Sequence, residues 1–252
     1  MCGRYFIILS PEEMRRLFGY DEVPNFPARY NVAPTQPIPV VRVNNGRREF
    51  ALVRWGLIPP WVKDPSKFTL LINARSETIR EKPAFQYAVR RRRCLLPADG
   101  FYEWKREGER KTPYVVRPRD GVRMAFAGVW ETWMGPNGEE METAAIVTTA
   151  ANRTLAPIHD RMPVMLTPDA FDPWLDCADV NEREAATLMT PARDELLDVY
   201  PVSSAVNRVA NDSPALLERI SSDEIEQMTR ATPPASKRKL PIAQGDDQLS
   251  LF

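Results

Sequence analysis

The sequence predicts a mixed α+β domain of one compact unit. Three observations lead there. Stretches that read as strands and stretches that read as helices both occur along the chain. The two kinds do not follow one another in regular order, which argues against a doubly wound parallel sheet. The chain has 252 residues with 43% hydrophobic content, enough for a sizeable core in one large domain or two small ones.

The elements follow in chain order. Ser10-Pro11-Glu12-Glu13 starts a helix: Ser10 caps it, Pro11 suits the first position, and Glu13 completes a capping box. Met14, Leu17 and Phe18 give this helix one apolar face. Pro37 to Val43 and Glu49 to Trp55 read as a hairpin around Asn44-Asn45-Gly46. A loop rich in Pro and Trp runs from Gly56 to about Thr69. Ser76 to Ala88 has a helical pattern that Pro83 must kink or split. Strands are expected near Cys94–Pro97, Tyr114–Arg117, Val122–Thr132 and Thr143–Thr149. Arg119-Asp120-Gly121 and Gly135-Pro136-Asn137-Gly138 supply turns between them. Helices are expected at Asp169–Leu175, Asn181–Met189 and Pro214–Ile220. From about Thr232 the composition loses any periodic apolar face and reads as a flexible tail.

Composition narrows the function. No run of about 18 apolar residues occurs, and the N-terminus has no apolar signal region, so a cytoplasmic protein without a membrane partner is expected. Cys2, Cys94 and Cys177 lack paired spacing, which argues against a disulfide framework and a zinc site. A single histidine, His159, cannot build a histidine-based metal site, and no cofactor is implied. The net charge is zero, yet residues 1–120 hold 23 Lys+Arg against 13 Asp+Glu, and the remainder 11 against 21. That asymmetry permits one basic face on a neutral protein.

Four segments carry chemistry. Cys2 becomes the first residue if Met1 is removed, as happens in cells when the second residue is small. It then offers an α-amine that titrates near about 7.7–8.0 and a thiol near about 8.5 on adjacent carbons. Such a 1,2-aminothiol condenses with an aldehyde to an imine, and the thiol then closes a five-membered thiazolidine. The alternative is an unremarkable chain start. In Asn73-Ala74-Arg75-Ser76-Glu77-Thr78, Arg75 can grip a phosphate and Asn73 orient a hydroxyl or carbonyl. The same letters also suit a helix start at Ser76 with Asn73 in the turn. Glu103, between Tyr102 and Trp104 in Pro97–Trp104, is a candidate for acid–base work, or the solvent-facing residue of a strand. His159, in Ile158-His159-Asp160-Arg161-Met162-Pro163, has the one side chain whose ordinary pKa suits proton transfer at neutral pH, although a lone histidine is often structural.

Together these segments resemble the SRAP family, named for SOS response-associated peptidases, whose members are abasic-site processing proteins. Met1-Cys2-Gly3-Arg4, Asn73–Thr78, Asp99–Trp104 and His159–Pro163 stand in the family's order and approximate spacing. Arg29–Pro34, Trp55–Trp61 and Pro201–Asn207 extend the likeness over about residues 2–221. The resemblance implies a β-barrel-like core flanked by helices, with a basic channel. It implies crosslinking to abasic sites in single-stranded DNA, including sites near a single-strand/duplex junction. Carried over, Cys2 is the nucleophile, Asn73 positions the aldehyde, Glu103 exchanges protons around the imine, and His159 bonds the opened sugar. Arg4, Arg75 and Arg161 would bind phosphates, and Trp61 would stack on a base. Arg90-Arg91-Arg92-Arg93 either extends the channel or is a solvated face. The family name implies removal of the protein's own first residue, and a DNA lyase activity is compatible with the same side chains.

Gln248-Leu249-Ser250-Leu251-Phe252 looks like the short segment by which bacterial replication and repair proteins dock on the sliding clamp. Gln248 supplies a polar anchor, while Leu249, Leu251 and Phe252 fill apolar pockets. The expected organisation is an abasic-site domain over residues 2–221 and a tail over 222–252, in a bacterial protein that joins the nucleoid when bound to DNA. Two other readings share the start Met-Cys-Gly. One is an N-terminal-cysteine amidohydrolase or peptidase, although no glutamine-binding motif is evident. The other is a non-catalytic single-stranded DNA-binding module.

Overall fold

Local chemistry sets the first elements, in a computed structural model that describes residues 2–221 and 223–225. Helix α1 (Pro11–Phe18) has the expected capping box between Ser10 and Glu13, and ends at Gly19 in the left-handed region. It buries Met14 and Phe18. Strands β1 (Tyr5–Ile7) and β2 (Arg29–Val32) flank it in sequence. Strands β3 (Pro37–Asn44) and β4 (Arg47–Trp55) form the expected hairpin. Its turn puts Asn45 (φ 49°) and Gly46 (φ 74°) in the left-handed region, as a two-residue turn between twisted strands requires.

Further along come β5 (Asn73–Arg75), α2 (Gln86–Arg91), β6 (Arg93–Pro97), β7 (Gly100–Glu107) and β8 (Arg110–Pro118). Then follow β9 (Ala125–Met134), β10 (Glu140–Ala150), β11 (Arg161–Pro163) and β12 (Met165–Leu166). The last elements are α3 (Phe171–Leu175), α4 (Glu182–Ala186) and β13 (Leu197–Pro201). Three expectations need correction. Residues 76–85 form turns, so the helix expected over Ser76–Ala88 starts only at Gln86, beyond Pro83. Asn181 caps a helix as expected, but α4 stops at Ala186. The helix expected over Pro214–Ile220 is a single 3₁₀ turn, Pro214–Leu217.

Five strands close a barrel. Strand β10 pairs with β4 in parallel, and the remaining pairs, β4 with β3, β3 with β6, β6 with β9 and β9 again with β10, are antiparallel. The long β10 can serve both seams because it runs eleven residues. Beyond these seams β10 also pairs with β11 on one edge and with the short parallel strand β5 on the other. A second sheet, ordered β13-β8-β7-β1-β2, packs against the barrel. The main core lies at their junction and includes Tyr5, Trp55, Phe101 and Phe126, all fully buried. Tyr5 meets Trp55 and Phe126 edge-on, at 5.2 and 5.8 Å between ring centres. The fold is therefore the α+β, barrel-cored architecture that the sequence predicts.

Candidate functional site around Cys2

The segment before β1 carries Cys2 into the protein interior, since β1 is held between β2 and β7. Gly100, at the start of β7, permits this close layering. A Cβ there would come within 2.6 Å of the Val116 carbonyl and strike the Phe6 ring. Cys2 itself is fully buried. Its thiol is pushed far up from the ordinary range by burial, and further by the Glu103 carboxylate. The thiol is therefore neutral at physiological pH.

Asn73 opens β5, whose parallel register sets it opposite Ile146 of β10. Its Nδ2 donates to the Cys2 backbone carbonyl at 3.0 Å. Its Oδ1 is buried with no hydrogen-bond partner among the described residues. A polar atom in that position is a ready acceptor for a ligand hydroxyl. The turn reading of Asn73 gives way, because Asn73 is a strand residue tied to the chain start.

Glu103 lies on β7 opposite Tyr114 and is 3% exposed. The solvent-facing reading of this carboxylate is thus corrected: Phe101 and Tyr102 are also buried, so both faces of this part of β7 are covered. Glu103 lines a cavity of about 460 Å³ together with Trp104, Arg106, Lys111, His159 and Asn207.

His159 stands on the loop between β10 and β11, where its N–H donates to the Leu155 carbonyl at 3.0 Å. Its Nδ1 is 2.9 Å from the Arg161 backbone N–H and 2.9 Å from a carboxylate oxygen of Asp160. The neutral ring accepts from Arg161 and so carries its hydrogen on Nε2.

The arginines named from the sequence have differing surroundings. Arg161 forms a two-pronged ion pair with Glu77 and also donates to the Thr148 carbonyl. Arg4 donates to Asn31 Oδ1 and to the Val206 carbonyl, both at 2.8 Å. Arg75 is exposed, two residues beyond Asn73 on β5. Trp61 is 55% exposed in the loop after β4. The four consecutive arginines do not form one face. Arg93 is 1% exposed and donates to the carbonyls of Val89, Trp174, Asp176 and Val180. Arg92 pairs with Glu131, and Arg90 with Glu182 at 3.4 Å. Gln248, Leu249, Leu251 and Phe252 lie outside the described residues.

The sequence reading missed Asn31, Asn207, Arg106 and Lys111. Asn31 is buried, and its amide donates to the carbonyls of Val206, Arg208 and Asn211. With Arg4 it pins the segment that brings Asn207 to the cavity. There Asn207 Oδ1 accepts from Trp104 Nε1 at 2.9 Å. Asn31 and Asn207 sit inside segments that carry the family likeness, but nothing in either segment pairs them. Among the described residues, no group of His, Cys, Asp and Glu is arranged to hold a metal. No described helix is long and apolar enough to cross a membrane.

The chain is 38% identical over 222 residues to the abasic site processing protein YoqW of Bacillus subtilis, a match covering 86% of this chain and 99% of that protein. It is 32% identical over 232 residues to the abasic site processing protein YedK of Escherichia coli, covering 87% of this chain and all of that one. A crystal structure of a protein from Bacteroides thetaiotaomicron superposes with a TM-score of 0.78 at 27% identity, over 87% of this chain and all of that one. The model of the SOS response associated peptidase (SRAP) family matches residues 1–209, and the chain belongs to that family.

Proposed function

We propose that the protein is a sensor of abasic sites in single-stranded DNA, which it captures as a thiazolidine through Cys2 once Met1 is gone. The observation that carries this reading is the convergence on Cys2 of groups from distant segments. Asn73 holds its carbonyl, Glu103 acts on its thiol, and Glu103 shares a cavity with His159. The relatives YoqW and YedK, both abasic site processing proteins, support an abasic site as the lesion.

Hydrolysis of the Met1–Cys2 peptide bond consumes one water and frees the α-amine. The amine adds to the aldehyde carbon of the ring-opened sugar, and loss of the oxygen as water leaves an imine. The Cys2 sulfur then bonds to the imine carbon, its proton leaves to Glu103, and the nitrogen regains a proton. The adduct is one water lighter than its parts. Because the thiol is buried and neutral, ring closure needs that base, and a fully enclosed carboxylate is suited to the work. Intramolecular closure gains an effective molarity on the order of 10⁵ M or more. Asn73 fixes the main chain at Cys2, and His159 Nε2–H faces the oxygen of the opened sugar. An adduct of this kind shields the lesion during replication. Trp61 and Arg75 supply a stacking surface and a phosphate contact, and Arg4 and Arg161 frame the site. The same side chains could run the reaction in reverse or support strand cleavage.

The domain over residues 2–221 is joined in this proposal to a tail over 222–252 whose Gln248, Leu249, Leu251 and Phe252 dock on a bacterial sliding clamp. Such tethering would raise the local concentration of the domain at replicating DNA in the nucleoid. A peptide of residues 244–252 that gave no heat of binding to the clamp would remove this part alone.

The central test is intact mass spectrometry with a denaturing gel, after incubation with single-stranded DNA bearing one abasic site. A covalent adduct at the summed mass less one water is expected from protein beginning at Cys2. It should be absent with undamaged DNA and with Cys2→Ala. A stable adduct in Cys2→Ala would overturn the role of Cys2.

A further inference from the structure

We infer that Arg106 and Lys111 form a phosphate subsite at the rim of the Cys2 cavity, taking a phosphodiester of the strand that carries the lesion. The inference rests on the proposed DNA substrate but not on the crosslinking chemistry.

Arg106 on β7 and Lys111 on β8 are directly opposite in the antiparallel register. Residues so paired project from the same face of the sheet, and like charges in that position repel. Both are exposed, and both line the cavity that holds Glu103 and His159. Among the described residues neither has a carboxylate partner, whereas the neighbouring Lys105 pairs with Glu107 at 2.7 Å. Two uncompensated cations therefore face each other at the mouth of the site. A bridging anion removes that repulsion.

The other arginines of the site sharpen the argument. Arg161 is occupied by Glu77 and the Thr148 carbonyl, and Arg4 by Asn31 and Val206. Neither Arg161 nor Arg4 lines the cavity, whose lining arginine and lysine are Arg106 and Lys111. Trp104, two residues before Arg106, projects from the same face of β7. Its indole is braced by Asn207 and by the Arg4 guanidinium, 6.0 Å from the ring centre. An aromatic plate followed by two cations is the arrangement that holds a base and its phosphate.

The test uses undamaged single-stranded DNA, on which no crosslink forms, so its result is independent of Cys2. Binding of a short fluorescent oligonucleotide is followed by anisotropy across a salt series. Each phosphate contact contributes a slope of about −0.7 in log K against log salt for single strands. The double variant Arg106→Ala/Lys111→Ala should flatten the slope by about 0.7, the share of the one phosphate the pair bridges. The charge-keeping pair Arg106→Lys/Lys111→Arg should restore it. An unchanged slope in the alanine pair would overturn the subsite. So would an equal loss in the charge-keeping pair, which would mean that shape and not charge was removed.

Discussion

Replacing Glu103 by Gln is the sharpest probe of the proposed chemistry. The change keeps the side chain's shape in a site only 3% exposed, and removes its ability to take or give a proton. Positioned proton transfer accelerates reactions by about 10²–10⁴-fold, so crosslinking should slow by on the order of 100-fold, or about 3 kcal/mol in barrier. One effect runs the other way. The carboxylate helps to hold the Cys2 thiol neutral, and its loss eases ionisation. Burial is the larger cause and survives the substitution, so the thiol stays protonated near neutrality and the slowing wins. The assay is single-turnover crosslinking at saturating abasic DNA, quenched onto denaturing gels over roughly pH 6 to 9. With its internal base gone, the variant's rate should climb with pH as solvent hydroxide takes over. Affinity for undamaged DNA should hold. If Glu103→Gln crosslinks within about threefold of the parent at every pH, proton transfer by Glu103 is not part of the mechanism.

Three other outcomes are expected. Arg93→Ala leaves the carbonyls of Val89, Trp174, Asp176 and Val180 unmet in the interior, and should cost about 3–5 kcal/mol in urea unfolding. The salt slope of DNA binding should not change with it. Trp61→Ala removes a half-exposed indole, so stability should move by less than about 0.5 kcal/mol, while affinity for single strands falls by about 1–3 kcal/mol. Burial raises the thiols of both Cys2 and Cys94 far above their ordinary value of 9.0. The unfolded chain therefore ionises first, and the stability held below that pH is lost above it, at on the order of 1 kcal/mol per pH unit for each thiol. Cys94→Ala should flatten that alkaline decline in unfolding midpoints; an unaltered decline would contradict the assignment.

Local signals and distant partners explain what the sequence discloses. Helix α1 and the β3–β4 turn were readable because their chemistry is complete within a few residues: Ser10 with Glu13, and Asn45 with Gly46. Residues 73–88 misled for the opposite reason. Asn73–Arg75 is a strand only because β10, about 70 residues later, offers an edge to it. The chain after it is spent in turns until Pro83 has passed. Alternation could not say which way Glu103 faces, since that rule assumes one wet side and this strand has none there. The four arginines read as one feature and have separate surroundings, because a helix end, its cap residue and a strand start divide them. The site residues came from segments recognised as a set. What the segments alone could not supply was the second tier: Asn31, Asn207, Arg106 and Lys111 matter through partners distant in the chain or across a strand pair.

The sheet order also sets a timetable. Strand β1 lies between β2 and β7, and the Asn73 contact to Cys2 depends on β5 finding β10. A chain leaving the ribosome at about 5–20 residues per second therefore spends roughly 8–30 s before its second residue can be enclosed. Any enzyme that trims residue 1 has that interval, on a nascent chain whose start is still open. Once β7 and β10 arrive, the pocket seals around whatever the start has become. Unless the folded domain removes Met1 itself, slow trimming or fast translation would thus be locked in as a permanently uncut fraction, visible as two masses in one preparation.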